Sequence, residues 1–383
     1  MIPENASIPA QTPRICFFMP SLAGGGAERV FVQLANEFAS HGYHVDFILA
    51  SAHGPYLDEV SLGVNVISYG KSGVLRALPK LVRYLRGQKP DVMLSGLAHA
   101  NVISVIANLG AGRTSRCVVS ARSIPSVWYR TNKSLRSWIL LQLMRATYRF
   151  ADTIIVNSEA VASDLDRFLL LPKKHISVVY NPIDISTIQD LSLEKVDHDW
   201  CEPGAPLVLL GVGRLDVLKD FPTLIRAFSH VRSRRKCRLV ILGEGPDRAS
   251  LEHLIHSLGL QSDVFLAGFV KNPFAWMRCS SVVVSSSLTE GCPNAIMQAL
   301  ACGTPVVSAD SEGGTAEVLE GGKWGKLVAV GDSVAMADAI VETLDETKRP
   351  DGRSRAKDFS TDKIAREYLL AMLPGYDAPS GAG

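Results

Sequence analysis

Short apolar runs alternate along the chain with segments whose apolar residues have helical spacing. The apolar run at 14–22 leads into three glycines, and Val30, Leu34 and Phe38 then follow at helical intervals until Gly42. The same order of strand, turn and helix recurs as far as the run ISVVYNPID at 176–184. Continuous apolar strands that alternate with helices predict a parallel sheet covered on both faces.

The pattern stops after residue 184 and starts again near residue 206. The stretch between them is polar and irregular, whereas apolar strands and helices alternate again from PLVLLGVG at 206–213 onward. A chain of 383 residues also fits two domains better than one. We predict a first domain over 14–184, a linker over 185–205, a second domain over 206–355 and a C-terminal helix over 356–373 that returns to the first domain. Glycine-rich turns after the strands of both halves place ligand sites at the strand ends, in a cleft between the domains.

The composition is that of a folded, non-membrane chain, with 47% hydrophobic and 20% charged residues. No apolar run approaches the roughly 20 residues of a spanning helix, and the start MIPENASIPAQTPR lacks the order of a signal peptide. We therefore expect a cytoplasmic protein. The cysteines are scattered and include no C-x2-C pair, so reduced structural thiols are expected; they are Cys16, Cys117, Cys201, Cys237, Cys279, Cys292 and Cys302.

Basic residues are concentrated in one part of the first domain. Residues 92–151 contain eight Arg and Lys residues and no Asp or Glu, which favours an anionic partner surface. Within this block a predicted helix mixes cations with apolar side chains: Lys133, Arg136, Arg145 and Arg149 with Leu135, Trp138, Leu141 and Met144. The mixture is typical of a helix that lies on anionic lipid. The alternative is a core helix with a solvated basic edge.

Three strand ends carry candidate chemistry. Gly24, Gly25 and Gly26 lie between a strand and a helix, where backbone amides can bind an anion, although a simple tight turn also explains them. Arg214 and Lys219 follow the first strand of the second domain, and such cations stabilise the charge that grows on a departing nucleoside diphosphate. A solvated basic loop is the alternative interpretation.

The third strand end is an acidic turn at 290–298. Glu290 offers a carboxylate to sugar hydroxyls, and the amides near Asn294 and Ala295 begin a helix that can bind phosphate. A carboxylate that only caps this helix is the alternative.

The order of these motifs resembles that of the family 4 glycosyltransferases, which have the GT-B fold of two Rossmann-like parallel-sheet α/β domains facing across a cleft. The resemblance rests on GGGAERV at 24–30, NPID at 181–184, GRLDVLKD at 213–220, GEGP at 243–246 and SLTEGCPNAIMQALACGTPVV at 287–307. It implies retaining transfer from a nucleotide diphosphate-sugar without a metal or other cofactor. Arg214 and Lys219 would hold the diphosphate and Glu290 the donor sugar. Substrate contacts would come from Gly25, Gly26, Asn181, Glu244, Asn294 and Ala295.

Two positions depart from the family's pattern. Gln298 stands where the family has the second glutamate of E-x7-E, and its amide can still form hydrogen bonds to the nucleotide. Arg122 stands where many relatives have a histidine, so we expect it to bind phosphate or stabilise charge. His99, at another strand end, is a substitute candidate near the reacting centre, and a plain structural histidine is the alternative interpretation. The D-x-D tripeptides at 164–166 and 197–199 are discounted as metal sites, because the first lies in a helical pattern and the second in the linker.

The resemblance is greatest to bacterial enzymes that build surface polysaccharide, lipopolysaccharide or lipid-linked oligosaccharide. The expected partners are a nucleotide-sugar donor, a lipid-linked or glycan acceptor and an anionic membrane surface, and no nucleic acid is expected. Two other functions stay open at this point. A nucleotide-sugar epimerase would need an acid/base pair in the cleft, and a non-catalytic nucleotide-sugar-binding subunit would fit the departures at Gln298 and Arg122.

Overall fold

The first domain is built around a parallel sheet. The computed structural model describes residues 12–70 and 73–376, so most of the segment judged not to be a signal peptide lies outside the described residues. The strands are β1 (Arg14–Met19), β2 (His44–Leu49), β3 (Val64–Ser68), β4 (Val92–Gly96), β5 (Arg116–Ala121), β6 (Thr153–Val156) and β7 (Ile176–Val178). The helices are α1 (Gly26–Ser40), α2 (Val74–Gln88), α3 (Ala98–Gly110), α4 (Pro125–Thr131), α5 (Leu135–Thr147) and α6 (Glu159–Leu169).

The strands of this sheet lie in the order β3-β2-β1-β4-β5-β6-β7, and every neighbouring pair is parallel. Strands β1 to β3 extend the sheet in one direction, and strands β4 to β7 extend it in the opposite direction. The order of the strands therefore reverses between β1 and β4. A reversal of this kind opens a crevice at the carboxyl ends of the two strands. The glycine loop after β1 and His99 after β4 therefore flank one crevice.

The second domain repeats this architecture with a smaller sheet. Its order is β10-β9-β8-β11-β13-β15, again parallel throughout. Its strands are β8 (Leu207–Val212), β9 (Cys237–Leu242), β10 (Val264–Gly268), β11 (Val282–Ser285), β13 (Val306–Ala309) and β15 (Lys326–Val328), and a separate two-residue pair joins β12 (Thr289–Glu290) to β14 (Glu312–Gly313). The order reverses between β8 and β11, the strands that precede Arg214 and Glu290.

The helices that follow in the chain are α7 to α15. They are α7 (Ile185–Ser192), α8 (Phe221–Arg232), α9 (Arg248–Ser257), α10 (Pro273–Cys279), α11 (Asn294–Cys302), α12 (Thr315–Val318), α13 (Ser333–Asp345), α14 (Gly352–Ala356) and α15 (Thr361–Met372). Helix α7 lies in the stretch that was predicted to be irregular, and its Ile188 is buried in the core of the second domain. The chain passes between the domains twice, and the two passages pair with each other through a bridge between Ile183 and Ser360. Helix α15 then packs on the first domain, where Ile364 and Tyr368 join its core.

One expectation about the cysteines is wrong. Cys201 and Cys279 form a disulfide with a Cα–Cα distance of 5.7 Å. The bond joins the turn before β8 to the end of α10, and a pairing between residues 78 positions apart cannot be recognised from local cysteine spacing. The other five cysteines are buried thiols, as predicted.

Helix α5 presents an apolar face that differs in part from the predicted one. Leu141 and Met144 belong to the first-domain core and are 3% and 4% exposed, because they lie on the inner side of the helix. Arg145 is also drawn inward, where it donates to the Phe168 carbonyl at 2.7 Å. The predicted Leu135 and Trp138 are exposed, and Ile139 and Leu143 are exposed beside them. None of the helices within the described residues has the length and apolar character needed to cross a bilayer.

Candidate functional site

The loop after β8 holds one exposed cation and one largely buried cation. The Asp216 carboxylate accepts from the amides of Leu218 and Lys219 at 3.1 and 3.3 Å, which fixes the turn that carries Lys219. The Arg214 side chain is 72% exposed, and its Nε lies 3.8 Å from Asp216 Oδ2. The Arg214 guanidinium is therefore available to a ligand at the end of β8.

Lys219 and Glu290 form an ion pair between neighbouring strand ends. The Lys219 ammonium contacts Glu290 Oε1, and the Ser287 hydroxyl donates to the same oxygen at 2.7 Å. The two loops are also joined through their backbones, since Leu288 N donates to Leu218 O at 2.8 Å. Both charged side chains are largely buried, at 26% and 16% exposure, so the charges interact more strongly than they would in water.

A glycine pair fixes the backbone of Glu290 from the other side. A Cβ at Gly313, whose φ is 137°, would lie 1.7 Å from the Glu290 carbonyl oxygen. The Gly314 amide donates to that same oxygen at 2.9 Å. Only glycine permits this approach. These two residues were not singled out from the sequence, although consecutive glycines after an apolar strand were a usable signal.

The glycine loop of the first domain begins α1 but lies beside an acid. Gly25 is the N-cap of α1, and a Cβ there would lie 2.3 Å from Glu28 Oε2. The Glu28 carboxylate thus already supplies the negative charge that a helix N-terminus attracts. Gly26 faces the other domain, because its Cβ position is 3.6 Å from Asn294 Nδ2. This arrangement suits a sugar hydroxyl better than a phosphate.

His99 reaches the cleft from a strained turn. Leu97 precedes α3 with a φ of 71°, a conformation that is unfavourable for leucine and is found mostly where a site requires it. Partial burial lowers the pKa of His99 below its usual 6.5, and the nearby Glu28 partly opposes the shift. The imidazole is therefore neutral at pH 7. It has no hydrogen-bond partner among the described residues, which leaves both ring nitrogens for a ligand.

Arg122 links three parts of the chain at the cleft. Its guanidinium donates to the Tyr368 hydroxyl of α15 at 2.9 Å and to Asn181 Oδ1. The Asn181 amide in turn donates to Asn294 Oδ1 at 2.7 Å, across the domain boundary. All of these acceptors are neutral, and no carboxylate pairs with Arg122 in the described part of the chain. Its positive charge is consequently held in place without being neutralised.

These groups surround a cavity of about 400 Å³ between the domains. Of the predicted site residues, its lining contains Gly26, His99, Arg122, Asn181, Glu290 and Asn294. Lys219 does not line the cavity itself, but it contacts the lining residue Glu290. Gly25 likewise lies directly before the lining residue Gly26. The rest of the lining includes an apolar wall that the sequence did not reveal: Leu97, Pro125, Trp128, Leu140 and Met144. The cavity therefore combines charged groups of both domains with an apolar surface of the first.

Comparison with known proteins identifies this architecture. A family model described as Glycosyltransferase Family 4 matches residues 24–187, and one described as Glycosyl transferases group 1 matches residues 206–346. The N-acetylgalactosamine-N,N'-diacetylbacillosaminyl-diphospho-undecaprenol 4-alpha-N-acetylgalactosaminyltransferase of Campylobacter jejuni is 31% identical over 94% of this chain and 99% of its own length. The chain belongs to the family 4 glycosyltransferases.

Two further relatives are similar along almost their whole length. The lipopolysaccharide core biosynthesis glycosyltransferase LpsE of Rhizobium meliloti is 29% identical, covering 91% of this chain and 97% of the relative. The crystal structure of Anabaena HepE in complex with UDP and glucose superimposes with a TM-score of 0.77 at 23% identity, covering 94% of this chain and all of the other. The predicted GT-B fold is confirmed. Membership in this family also favours a glycosyltransferase over the epimerase and the non-catalytic subunit.

Three other predicted residues of this glycosyltransferase lie outside the lining of this cavity, namely Glu244, Ala295 and Gln298, whereas Asn294 is part of it. The Glu244 side chain is exposed and pairs with Arg248 at 2.7 Å. The Asn294 amide, expected to bind phosphate, donates instead to the Cys292 carbonyl at 3.0 Å, because the turn before α11 is tight. The Ala295 amide has no partner among the described residues. Gln298 lines a second cavity of about 240 Å³ with Asn294, and its side chain likewise has no described partner.

A carboxylate of the second domain caps a helix of the first. Glu317 accepts from the Glu159 and Ala160 amides at the start of α6, at 2.9 and 3.0 Å, and from the Tyr180 hydroxyl at 3.2 Å. The contact satisfies amides that would otherwise lack partners and matches the positive end of the helix dipole. It therefore helps to hold the two domains together.

The two D-x-D tripeptides that were discounted as metal sites lie in structural parts of the chain. Asp164 lies in α6 and accepts from the Ser126 amide at 2.9 Å, and Asp199 lies in the turn closed by the disulfide. Within the described residues, one group of acids and histidines is close enough to hold an ion: Glu37, His41 and Asp362. This group lies at the far end of α1 from Gly26.

Proposed function

We propose that this glycosyltransferase moves a sugar from a nucleotide diphosphate-sugar to a hydroxyl of a lipid-linked glycan, with retention of anomeric configuration and without a metal. The observation that carries the proposal is the Lys219–Glu290 pair, which lies where the second sheet reverses and borders a cavity lined by the first domain. Ligands of open parallel sheets bind at such reversals.

The donor would lie on the second domain. Arg214 is exposed at the end of β8 and Lys219 lies beside it, so both cations can contact a diphosphate whose negative charge grows as the glycosidic bond breaks. Glu290 would accept from hydroxyls of the donor sugar. The complex of HepE with UDP and glucose supports a UDP-sugar as the first donor to test.

A metal is not required by this arrangement, because Arg214, Lys219 and Arg122 already supply positive charge around the reacting groups. Transfer is therefore expected to persist in EDTA, and the retaining outcome implied by the family is expected in the product. NMR of the anomeric proton measures the stereochemistry. An inverted linkage, or loss of activity in EDTA that manganese restores, would contradict this part of the proposal.

The acceptor would be presented at the inner face of the cell membrane. The names of the Campylobacter and Rhizobium relatives place them on a diphospho-undecaprenol acceptor and in lipopolysaccharide core synthesis. In this chain, α5 exposes Leu135, Trp138, Ile139 and Leu143 on its outer side. Lys133, Arg136 and Arg149 lie nearby and are exposed. Apolar side chains that can enter the interface and cations that attract anionic lipid are the two requirements of peripheral binding.

Liposome flotation tests this membrane surface. Binding is expected to require anionic lipid and to weaken at high salt, since each well-placed cation contributes about 1 kcal/mol that salt screens. The changes Trp138→Ser and Ile139→Ser should reduce binding further, whereas Leu62→Ser, at another exposed leucine of the first domain, serves as the control. Equal binding to neutral liposomes would refute the electrostatic part of the proposal.

Transfer itself is tested in two steps. A thermal-shift screen of uridine, guanosine and adenosine diphosphate-sugars identifies the donor, because a ligand of the folded state raises its stability. The selected donor is then incubated with and without a lipid-linked glycan. Product that forms only with the acceptor supports transfer, whereas interconversion of the donor alone would indicate an epimerase.

A further inference from the structure

Helix α6 of the first domain has an N-terminus that the second domain helps to complete. Its N-cap Ser158 is fully buried, and the Ser158 hydroxyl accepts from the Val161 amide at 3.2 Å. The amides of Glu159 and Ala160 donate instead to the Glu317 carboxylate, at 2.9 and 3.0 Å. The first amides of any helix have no partner within the helix itself. Two of those of α6 therefore find their protein partner in the other domain.

Glu317 belongs to the same rigid unit as Glu290. Its helix α12 begins directly after Gly313 and Gly314, and both glycines pack on the Glu290 carbonyl. Val318 of α12 is 0% exposed and lies in the core of the second domain, where close packing keeps the backbone in place. One unit of the second domain thus carries one carboxylate to the cavity and another to α6 of the first domain.

The contact with α6 lies at the edge of the cavity. Asn157 lines the cavity and directly precedes the N-cap Ser158. A Cβ at Gly314 would lie 3.1 Å from Ser158 Cβ, and a Cβ at Gly291 would lie 2.5 Å from the Arg122 carbonyl oxygen. The backbones of the two domains therefore pack closely along this edge, beside the lining residue Arg122.

Two other side-chain contacts across the domain boundary are weaker. Arg130 pairs with Glu312 at 2.8 Å, but their side chains are 61% and 55% exposed, and exposed ion pairs contribute little. The hydrogen bond between Asn181 and Asn294 joins two neutral amides. Glu317 brings a carboxylate to the positive end of a helix dipole, and hydrogen bonds with an ionised partner are the stronger kind.

We propose that Glu317 is a positioning residue for transfer: its contact with α6 holds the acceptor groups of the first domain against Glu290 and closes this edge of the cavity to water. The inference rests on the proposed function, because it concerns transfer to an acceptor in this cavity. In transfer, the anomeric carbon exchanges its bond to the diphosphate oxygen for a bond to the acceptor hydroxyl oxygen, and the hydroxyl proton leaves with the diphosphate. In hydrolysis, water takes the place of that hydroxyl.

Domain contact at this edge affects these two reactions differently. A displacement of about 1 Å between reacting groups can cost roughly a hundredfold in rate, and an open cavity admits water to the donor sugar. Loss of Glu317 should therefore slow transfer and raise the ratio of hydrolysis to transfer. Nucleotide affinity should stay unchanged, because the proposed diphosphate contacts lie on the second domain.

The test uses the full-length protein and the nucleotide-sugar selected in the thermal-shift screen. Glu317→Ala is expected to lower kcat for transfer about tenfold, from the loss of two hydrogen bonds to a charged acceptor. The ratio of hydrolysis to transfer should rise, and the Kd of the nucleoside diphosphate, measured by calorimetry, should equal that of the wild type. Glu317→Gln keeps an acceptor oxygen without the charge, so its losses should be smaller, and it keeps the test available if Glu317→Ala fails to fold.

Asp332→Ala is the matched control. Asp332 accepts from the Val334 and Ala335 amides at 3.1 and 2.9 Å, so it caps α13 as Glu317 caps α6, but within the second domain. Both substitutions to alanine should lower the melting temperature, whereas Asp332→Ala should leave kcat and the ratio of hydrolysis to transfer at wild-type values. An equal loss of kcat in both variants would show a general effect of lost stability and would overturn the inference.

Small-angle X-ray scattering gives a second measurement, which needs no acceptor. The radius of gyration of the ligand-free protein is expected to rise in Glu317→Ala and to stay unchanged in Asp332→Ala. An unchanged radius in Glu317→Ala, or a fall in its kcat at an unchanged ratio of hydrolysis to transfer, would also overturn the inference. A wild-type protein that makes no glycoside would count against the proposed function, and the radius of gyration would still decide whether Glu317 holds the domains together.

Discussion

Lys219→Met tests the central feature of the proposed donor site. The change keeps most of the side-chain length but removes a cation that is 26% exposed and contacts Glu290, which is 16% exposed. Loss of one preorganised electrostatic contact in such a site costs about 3 kcal/mol of transition-state stabilisation. That energy corresponds to a decrease in kcat of roughly a hundredfold. Arg214 remains in the variant, so activity should not be abolished.

The assay measures kcat and KM from nucleoside diphosphate release, with the donor found in the thermal-shift screen. Glu290→Gln and the double variant complete a mutant cycle, and residues that act as a unit are expected to give a double variant little worse than either single one. Lys323→Met is the matched control, because Lys323 pairs with Glu320 at 2.8 Å on the surface of the same domain. Its kcat should equal that of the wild type.

A folded Lys219→Met protein with near-normal kcat would refute this reasoning. So would a double variant whose losses are fully additive, because the two residues would then act independently. A rise in KM at unchanged kcat would show that Lys219 binds the donor equally in the ground and transition states.

Three further predictions concern other groups. Because burial lowers the pKa of His99, its neutral form persists below pH 6.5; kcat/KM should stay level from pH 8 to 6.5 and fall only at lower pH, and a pH profile of His99→Gln should lack that fall if the imidazole acts as a base. Gln298→Glu should tighten nucleotide binding by up to about tenfold, measured by calorimetry, since the Gln298 side chain has no described partner; weaker binding would place this residue outside the donor site. Replacing Cys201 and Cys279 with serine should lower the free energy of unfolding by about 4 kcal/mol, because the bond closes a loop of 78 residues; an unchanged denaturation midpoint in non-reducing buffer would contradict this estimate.

The sequence predicted the strand ends well because their signals are local. Gly25, His99, Arg214 and Glu290 each follow an apolar strand and precede a helix, and these are the strand ends at the two reversals of sheet order. A pattern of strand, turn and helix is enough to place such residues at the cleft. Their roles in binding and catalysis stay predictions.

Contacts between distant parts of the chain could not be predicted in this way. Arg122 donates a hydrogen bond to Tyr368, which lies 246 positions away in the sequence. Glu317 accepts a hydrogen bond from the start of α6, which lies 158 positions away. The exposed edge strand β3 was missed for another reason, since one of its five residues is buried and the alternation is too short to recognise.

Helix α5 shows the limit of helical periodicity. Its inner side carries Leu141 and Met144 and its outer side carries Trp138 and Ile139, so apolar residues occur on both sides. Spacing alone cannot tell which set faces the core. The assignment required the packing of α3 and α6 against the inner side, which the sequence does not contain.

Helix α15 has a consequence for how this protein is synthesised. Ile364, Ala365, Tyr368, Leu369 and Met372 are at most 4% exposed and complete the core that contains Phe17 and Phe31. The ribosome makes these residues after the whole second domain, and at 5–20 residues per second about 10 to 40 seconds separate residue 184 from residue 372. During that interval the first domain has an uncovered apolar surface beside α1. We expect the nascent chain to need chaperone protection there, and a fragment ending at residue 184 to aggregate where the full chain stays in solution.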